Sequence, residues 1–123
     1  MLNIWMEAVC SRSVKRVVDL YTENAVLVPT LNPGVLQGKR QLAAYFEKFL
    51  SKQDLCGRID CVVTQSLGRA DAPRQGQIYS GLYTFAWIEL GSPKEIQARF
   101  TYVVVPTRRG WKILNHHSSA VPS

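Results

Sequence analysis

After Gly57 the apolar pattern of this chain changes period, and that change limits its fold more than any other feature. Before it, apolar residues recur at helical spacing; beyond it they alternate in runs broken by turn residues. Residues 58–67, 76–90, 95–107 and 110–120 read as strands. Breaks at Gly68 to Gly76, at Gly91-Ser92-Pro93 and at Thr107-Arg108-Arg109-Gly110 separate them. Residues 2–21 read as helical, with a break near Ser11 to Ser13 and Ser13 as the N-cap of the second piece. Trp5, Ala8 and Val9 make one stripe there; Val14, Val17, Val18 and Tyr21 make another. Ala25 to Thr30 is a short β-rich run closed by Pro29, and a loop through Asn32-Pro33-Gly34 follows. Residues 39–52 form the clearest amphipathic helix, with Leu42, Tyr45, Phe46, Phe49 and Leu50 on one side. Helices first and hairpin-linked strands second predict an α+β fold, a curved antiparallel sheet wrapped on N-terminal helices. A chain of 123 residues fits one such domain, spanning 1–123.

The strands carry a second message. In 76–90, Tyr79, Tyr83, Phe85 and Trp87 line one face while Ile78, Leu82, Ala86 and Ile88 line the other. In 95–105, Ala98, Phe100, Tyr102 and Val104 oppose Arg99, Thr101, Val103 and Val105. A sheet with one wet face alternates apolar with polar; this one is apolar on both. Helices cover one face, so another subunit is expected on the second, and a two-fold homodimer is the commonest form.

Composition excludes several classes. No apolar run approaches the ~20 residues that span a bilayer, so no membrane partner is expected. Met1 to Glu7 has no basic region followed by a continuous apolar stretch, so no signal peptide is expected. Cys10, Cys56 and Cys61 are odd in number and read as thiols without a disulfide framework. Cytoplasm, or another reducing compartment such as a plastid stroma, follows from that reading. The net charge is +6, with the fifteen Lys and Arg residues spread along the chain rather than gathered in a stripe, so nucleic acid is not expected. Arg108-Arg109-Gly110 reads as a charged hairpin tip leading into a core Trp111.

The chemistry concentrates at the last strand, where His116-His117-Ser118-Ser119 holds both histidines of the chain. On a strand, neighbours point to opposite faces. His117 and Ser119 then share a face with Trp111 and Ile113, while His116 and Ser118 share the other with Leu114. Either way, one face receives an imidazole and a hydroxyl two residues apart. Catalytic zinc wants three protein ligands and an open position. Two adjacent histidines diverge on a strand, and Cys56 and Cys61 lack a second pair, so no metal and no cofactor is expected. A nucleophile elbow, a phosphate loop and a dinucleotide fingerprint are all absent from the sequence. What remains is a pocket of neutral polar side chains: Thr30 after the first strand, Tyr45 on the amphipathic helix, and the His-Ser pairs. Tyr79, Tyr83 and Arg99 are further candidates. Each also has a plain structural reading. Thr30 caps a turn after Pro29, Tyr45 is a core aromatic, one histidine is a satisfied interface residue, and Arg99 pairs with Glu89 or Glu95.

Six segments in order carry a resemblance. They are Trp5-Met-Glu-Ala-Val9, Leu20 through Thr30, Tyr45-Phe-Glu-Lys-Phe-Leu50, Ser80-Gly-Leu-Tyr-Thr-Phe85, Ala98-Arg-Phe-Thr-Tyr102, and Trp111 through His116-His-Ser-Ser119 to Pro122. Together they resemble the iota-class carbonic anhydrases. These are relatives of the calcium/calmodulin-dependent protein kinase II association domain, within the nuclear transport factor two-like superfamily. The signature of that class commonly begins with three histidines and ends Ser-Ser-x-Met-Pro; here Asn115 stands for the first His and Val121 for the Met.

The resemblance implies a cone-shaped, usually dimeric α+β fold with a pocket between helices and sheet, and metal-free hydration of CO₂ to bicarbonate. Carried over by motif, His117, Ser119, Tyr45 and Thr30 are the expected catalytic residues, with His117 as proton acceptor. His116, Ser118, Tyr83 and Arg99 are expected to contact CO₂ or bicarbonate. A binder or cyclase of another small molecule, and a pure oligomerisation module, are the alternatives within the same superfamily.

Overall fold

The computed structural model describes residues 1–68 and 75–122. The chain begins with α1 (Leu2–Ser11) and α2 (Val14–Val18), then enters β1 (Tyr21–Val28), the short β2 (Leu36–Gln37) and α3 (Lys39–Phe49). Four long strands follow: β3 (Gln53–Leu67), β4 (Gly76–Glu89), β5 (Ser92–Thr107) and β6 (Gly110–Ala120). One six-stranded sheet contains them in the order β2-β1-β6-β5-β4-β3. β3 to β6 form an antiparallel meander, while β1 lies parallel to β6 and antiparallel to β2. The expected α+β architecture is present, with that one parallel pairing added.

The first helical region is shorter than its periodicity suggests. Arg12 adopts a left-handed conformation at φ 59° and its N–H bonds Val9 O, which ends α1. Ser13 then caps α2 by accepting from Arg16 N at 3.2 Å. Tyr21, expected on the helix, instead opens β1 and is buried. The break expected from Gly68 to Gly76 falls largely on residues 69–74, which lie outside the described residues.

The helices lie on one face of the sheet. Trp5 and Val9 of α1 and Leu42, Phe46 and Phe49 of α3 pack against Tyr83, Phe85, Ala98, Phe100 and Tyr102. Gly57 lets α1 come close to β3, because a Cβ there would meet Phe85 at 2.7 Å and Met6 Sδ at 2.9 Å. Beside it, Cys10 of α1 and Cys56 of β3 form a disulfide, with Cα atoms 4.3 Å apart. This corrects the reading of three unpaired thiols, and the argument from free cysteines for a reducing compartment goes with it. An odd count left one cysteine over, Cys61, which is exposed on β3. Among the described residues, no helix is long and apolar enough to cross a membrane.

Two bulges steer the side chains. One lies between Ile59 and Cys61, opposite Tyr83 and Leu82. The second leaves Leu114 extra on β6, since Val104 pairs with Ile113 and Val103 with Asn115. At Gly81, next to the first bulge, an added Cβ would lie 2.0 Å from Cys61 O. Backbone of a neighbouring strand cannot withdraw as a flexible side chain can. Gly81→Ala should therefore cost at least the upper end of the ~1–3 kcal/mol typical of overpacking, read as a lower urea midpoint with an unchanged slope.

Candidate functional site

A small hollow opens between α3, the end of β1 and the inner face of the sheet. Its walls include Trp5, Leu27, Phe46, Phe49, Phe85 and Ile96, and its polar atoms come from Thr30, Tyr45, Tyr83, His116 and Ser118. The enclosed space is about 20 Å³, room for about one water. Outside it, a recess of about 400 Å³ shares Leu31, Tyr45 and Phe49 with the hollow and adds Lys48 and Lys52 at its rim.

His116 is the centre of this site. Its ring is buried and stacks on Tyr102, with centroids 3.9 Å apart and planes inclined by 21°. Nδ1 lies 2.8 Å from the Tyr21 hydroxyl, and Nε2 lies 3.2 Å from the Tyr83 hydroxyl. Tyr21 Oη in turn accepts a hydrogen bond from Trp5 Nε1 at 3.0 Å. Burial, reinforced by neighbouring His117, pushes the His116 pKa from the ordinary 6.5 down to about 3. The ring is therefore neutral at physiological pH. Burial raises the phenols of Tyr21, Tyr83 and Tyr45 above the usual tyrosine range, so these also stay protonated. At Tyr83 the nearby Ser118 hydroxyl works against that rise. Ser118 also shares a very short hydrogen bond with Thr30 Oγ1. An indole, two phenols and an imidazole thus form one hydrogen-bonded chain that reaches the hollow at Tyr83, and the Ser118–Thr30 pair lines the hollow beside it.

Of the candidate residues, Thr30, Tyr45, Tyr83, His116 and Ser118 come together at the hollow. His117, Ser119 and Arg99 do not. Ser119 and Arg99 are paired on the opposite face of the sheet, with Arg99 exposed and Ser119 half-buried; His117 is exposed beside them. The cause is the extra residue Leu114. Counting by twos from buried Ile113 would bring His117 and Ser119 inward, but the bulge shifts the frame by one and brings His116 and Ser118 instead. The same stretch leaves Trp111, expected in the core, 39% exposed at the β5–β6 hairpin. Tyr79 bonds Gln77 at 2.5 Å away from the hollow. Sequence reasoning missed Trp5 and Tyr21 as polar members of the site, having read both as helical core. Their only signal was that each carries a polar tip which needs a partner when buried. Among the described residues, no three His, Cys, Asp or Glu side chains converge as a metal would require.

The geometry has relatives. A structure from Xanthomonas campestris, designated a candidate calcium/calmodulin dependent protein kinase II association domain, is 32% identical, with a TM-score of 0.88, and the match covers 99% of this chain and 84% of that one. A nuclear transport factor 2-like superfamily protein from Salmonella enterica serovar Typhimurium matches at 14% identity and TM-score 0.83, over 99% of this chain and 87% of that one. A structure from Streptomyces avermitilis, designated a candidate dehydratase of that superfamily, matches at 16% identity and TM-score 0.83, covering 99% and 92%. At such identities the last two show the fold alone. Among proteins with curated descriptions, none matches. The family profile of the calcium/calmodulin dependent protein kinase II association domain matches residues 1–122. With a profile that matches nearly its whole length and a relative 32% identical across it, this chain belongs to the calcium/calmodulin dependent protein kinase II association domain family.

Proposed function

We propose that the hollow hydrates CO₂ without a metal ion. The observation that carries this reading is its size and lining: about 20 Å³ between aromatic walls, closed by hydroxyls that stay neutral. Such a space suits one water at the polar end, with the apolar triatomic at the mouth that the hollow shares with the outer recess at Leu31, Tyr45 and Phe49, and it excludes most larger substrates from the polar end. The sequence-based role of proton acceptor passes from His117, which is exposed, to the inward chain around His116. With its pKa near 3, His116 does not hold a proton at neutral pH. The step that fits a neutral site is concerted. Water oxygen bonds the carbon of CO₂, one water proton passes to the Ser118 hydroxyl, and the proton Ser118 releases goes to a CO₂ oxygen. Carbonic acid forms and ionises to bicarbonate in solvent. Thr30 holds Ser118 in place, Tyr83 lines the hollow beside it, and Tyr45 faces the entrance. Positioning of this kind replaces bimolecular encounter with a held geometry, and proton passage through a placed group adds typically 10²–10⁴-fold.

A second reading rests on the outer recess. Its volume of about 400 Å³ falls in the range of small-molecule sites, so a ligand of ten or more heavy atoms fits there with one polar end at Tyr45. Bound fragments of that size that block the hollow, together with no CO₂ hydration, would favour it.

The outer face of the sheet supports assembly whichever chemistry the hollow performs. Ile78, Leu82 and Val103 lie half-covered there beside Val63, which is 66% exposed. A second copy of the chain is the cover we propose. Light scattering should give at least a dimer, and Val103→Glu should reduce it to monomer.

Stopped-flow CO₂ hydration tests the first reading. Activity should survive a strong chelator and fall about 10- to 100-fold in Ser118→Ala and in Tyr83→Phe. His117→Ala and Ser119→Ala should stay within twofold. Abolition by the chelator, or equal losses in both pairs, would end it. Stability carries its own pH signature. Between the ordinary pKa of 6.5 and the folded value of about 3, the unfolded His116 binds a proton that the folded protein refuses. Stability therefore falls as pH drops through that window. Urea denaturation should show a loss on the order of 3 kcal/mol between pH 7 and pH 4, with a flatter profile in His116→Gln.

A further inference from the structure

We infer that Trp5, acting through Tyr21, fixes which nitrogen of His116 carries the proton, and so aims the Tyr83 hydroxyl proton at the hollow. An indole N–H only donates. Trp5 Nε1 therefore donates to Tyr21 Oη at 3.0 Å, and no reversal of that bond exists. A phenol proton lies in the ring plane in one of two orientations. With Trp5 occupying one side of the oxygen, the Tyr21 proton takes the other, toward His116 Nδ1 at 2.8 Å. Nδ1 is then the acceptor, and a neutral imidazole must carry its proton on Nε2. Nε2–H donates to Tyr83 Oη at 3.2 Å. Tyr83, having accepted there, turns its own proton away from the ring, on the side of the hollow that it lines.

The opposite tautomer breaks this order. With the proton on Nδ1, two N–H groups converge on Tyr21 Oη and the buried Tyr21 proton has no acceptor. Tyr83 would then turn its proton back to Nε2, away from the hollow. Buried polar groups are nearly always paired, and the orphan proton disfavours this arrangement by about tenfold or more. All four side chains are buried, with exposures of 1% for Trp5 and Tyr21 and 2% for Tyr83 and His116, so no bulk solvent repairs the defect. Trp5 and Tyr21 are positioning residues. Neither lends an atom to a reaction; together they set the direction in which the Tyr83 hydroxyl donates. The tautomer rests on geometry alone. Its effect on turnover rests on the hydration reading proposed above.

The test is a long-range ¹H–¹⁵N spectrum of the full chain with ¹⁵N-labelled histidine, assigned with His117→Ala. The His116 signals should show a protonated Nε2 and an unprotonated Nδ1. Trp5→Phe keeps the ring and removes the donor; it frees Tyr21 to turn and should give a mixture of tautomers. Tyr21→Phe should release the preference in the same way, and Ser119→Ala on the outer face should change nothing. A wild-type spectrum with the proton on Nδ1, or Trp5→Phe and Tyr21→Phe spectra identical to wild type, overturns the inference. If neither variant folds, the wild-type spectrum decides it. In stopped-flow hydration, Trp5→Phe should lower kcat about tenfold with KM unchanged. The expected tautomer in a protein that hydrates no CO₂ would sink the functional reading and leave this assignment standing.

Discussion

A neutral imidazole held between two phenols is the contact on which this structure turns. His116 is buried from bulk solvent, and each ring nitrogen finds its partner within the protein. Those partners come from opposite parts of the chain. Tyr21 arrives on the one strand that runs parallel to β6, Tyr83 arrives from two strands away, and Tyr102 on β5 covers the ring face. The helix layer enters through Trp5, which also stacks on Tyr83 with centroids 5.8 Å apart. Losing one partner would leave a buried polar atom unpaired, at about 1–3 kcal/mol. The site is thus a structural keystone as well as a place for chemistry. Its helix is held from outside as well. The disulfide closes a loop of 46 residues between α1 and β3, which on the chain-entropy account stabilises the fold by roughly 4 kcal/mol.

The same contact limits what reactions the hollow can perform. Burial keeps an imidazole from charging and phenols from ionising, so no residue facing the hollow is a strong base at neutral pH. On the hydration reading proposed above, chemistry there moves protons along hydroxyls. The family to which the chain belongs is named for association, and a structure designated a candidate dehydratase shares its fold at 16% identity. Fold alone does not choose between assembly and chemistry.

Much of this was legible in the order of the elements. Helical spacing in Leu42, Phe46 and Phe49 and alternation in Tyr83, Phe85 and Trp87 identified the layers, because core burial enforces both periods. Thr30, Tyr45, Tyr83, His116 and Ser118 were all candidates before any coordinate. What alternation could not supply was the phase of β6. A bulge leaves no mark in composition, since Leu114 and Asn115 are ordinary strand residues on either reading. The disulfide was hidden for a different reason. Cys10 and Cys56 are brought together by the packing of a helix on a strand, which depends on the missing side chain at Gly57. Tyr21 was hidden because a helical stripe and a strand start look alike over four residues.

The doubled His-His-Ser-Ser text of β6 gains a meaning from the extra residue beside it. A strand with single copies of each would lose its imidazole and its alcohol together if the pleat slipped by one. With each letter written twice, either phase points one of each into the hollow. What the phase alters is their company: the observed one turns Asn115 to the outside, and the other would bring that amide indoors. The motif tolerates a misprint in its own spacing, and Leu114 decides which copy is read.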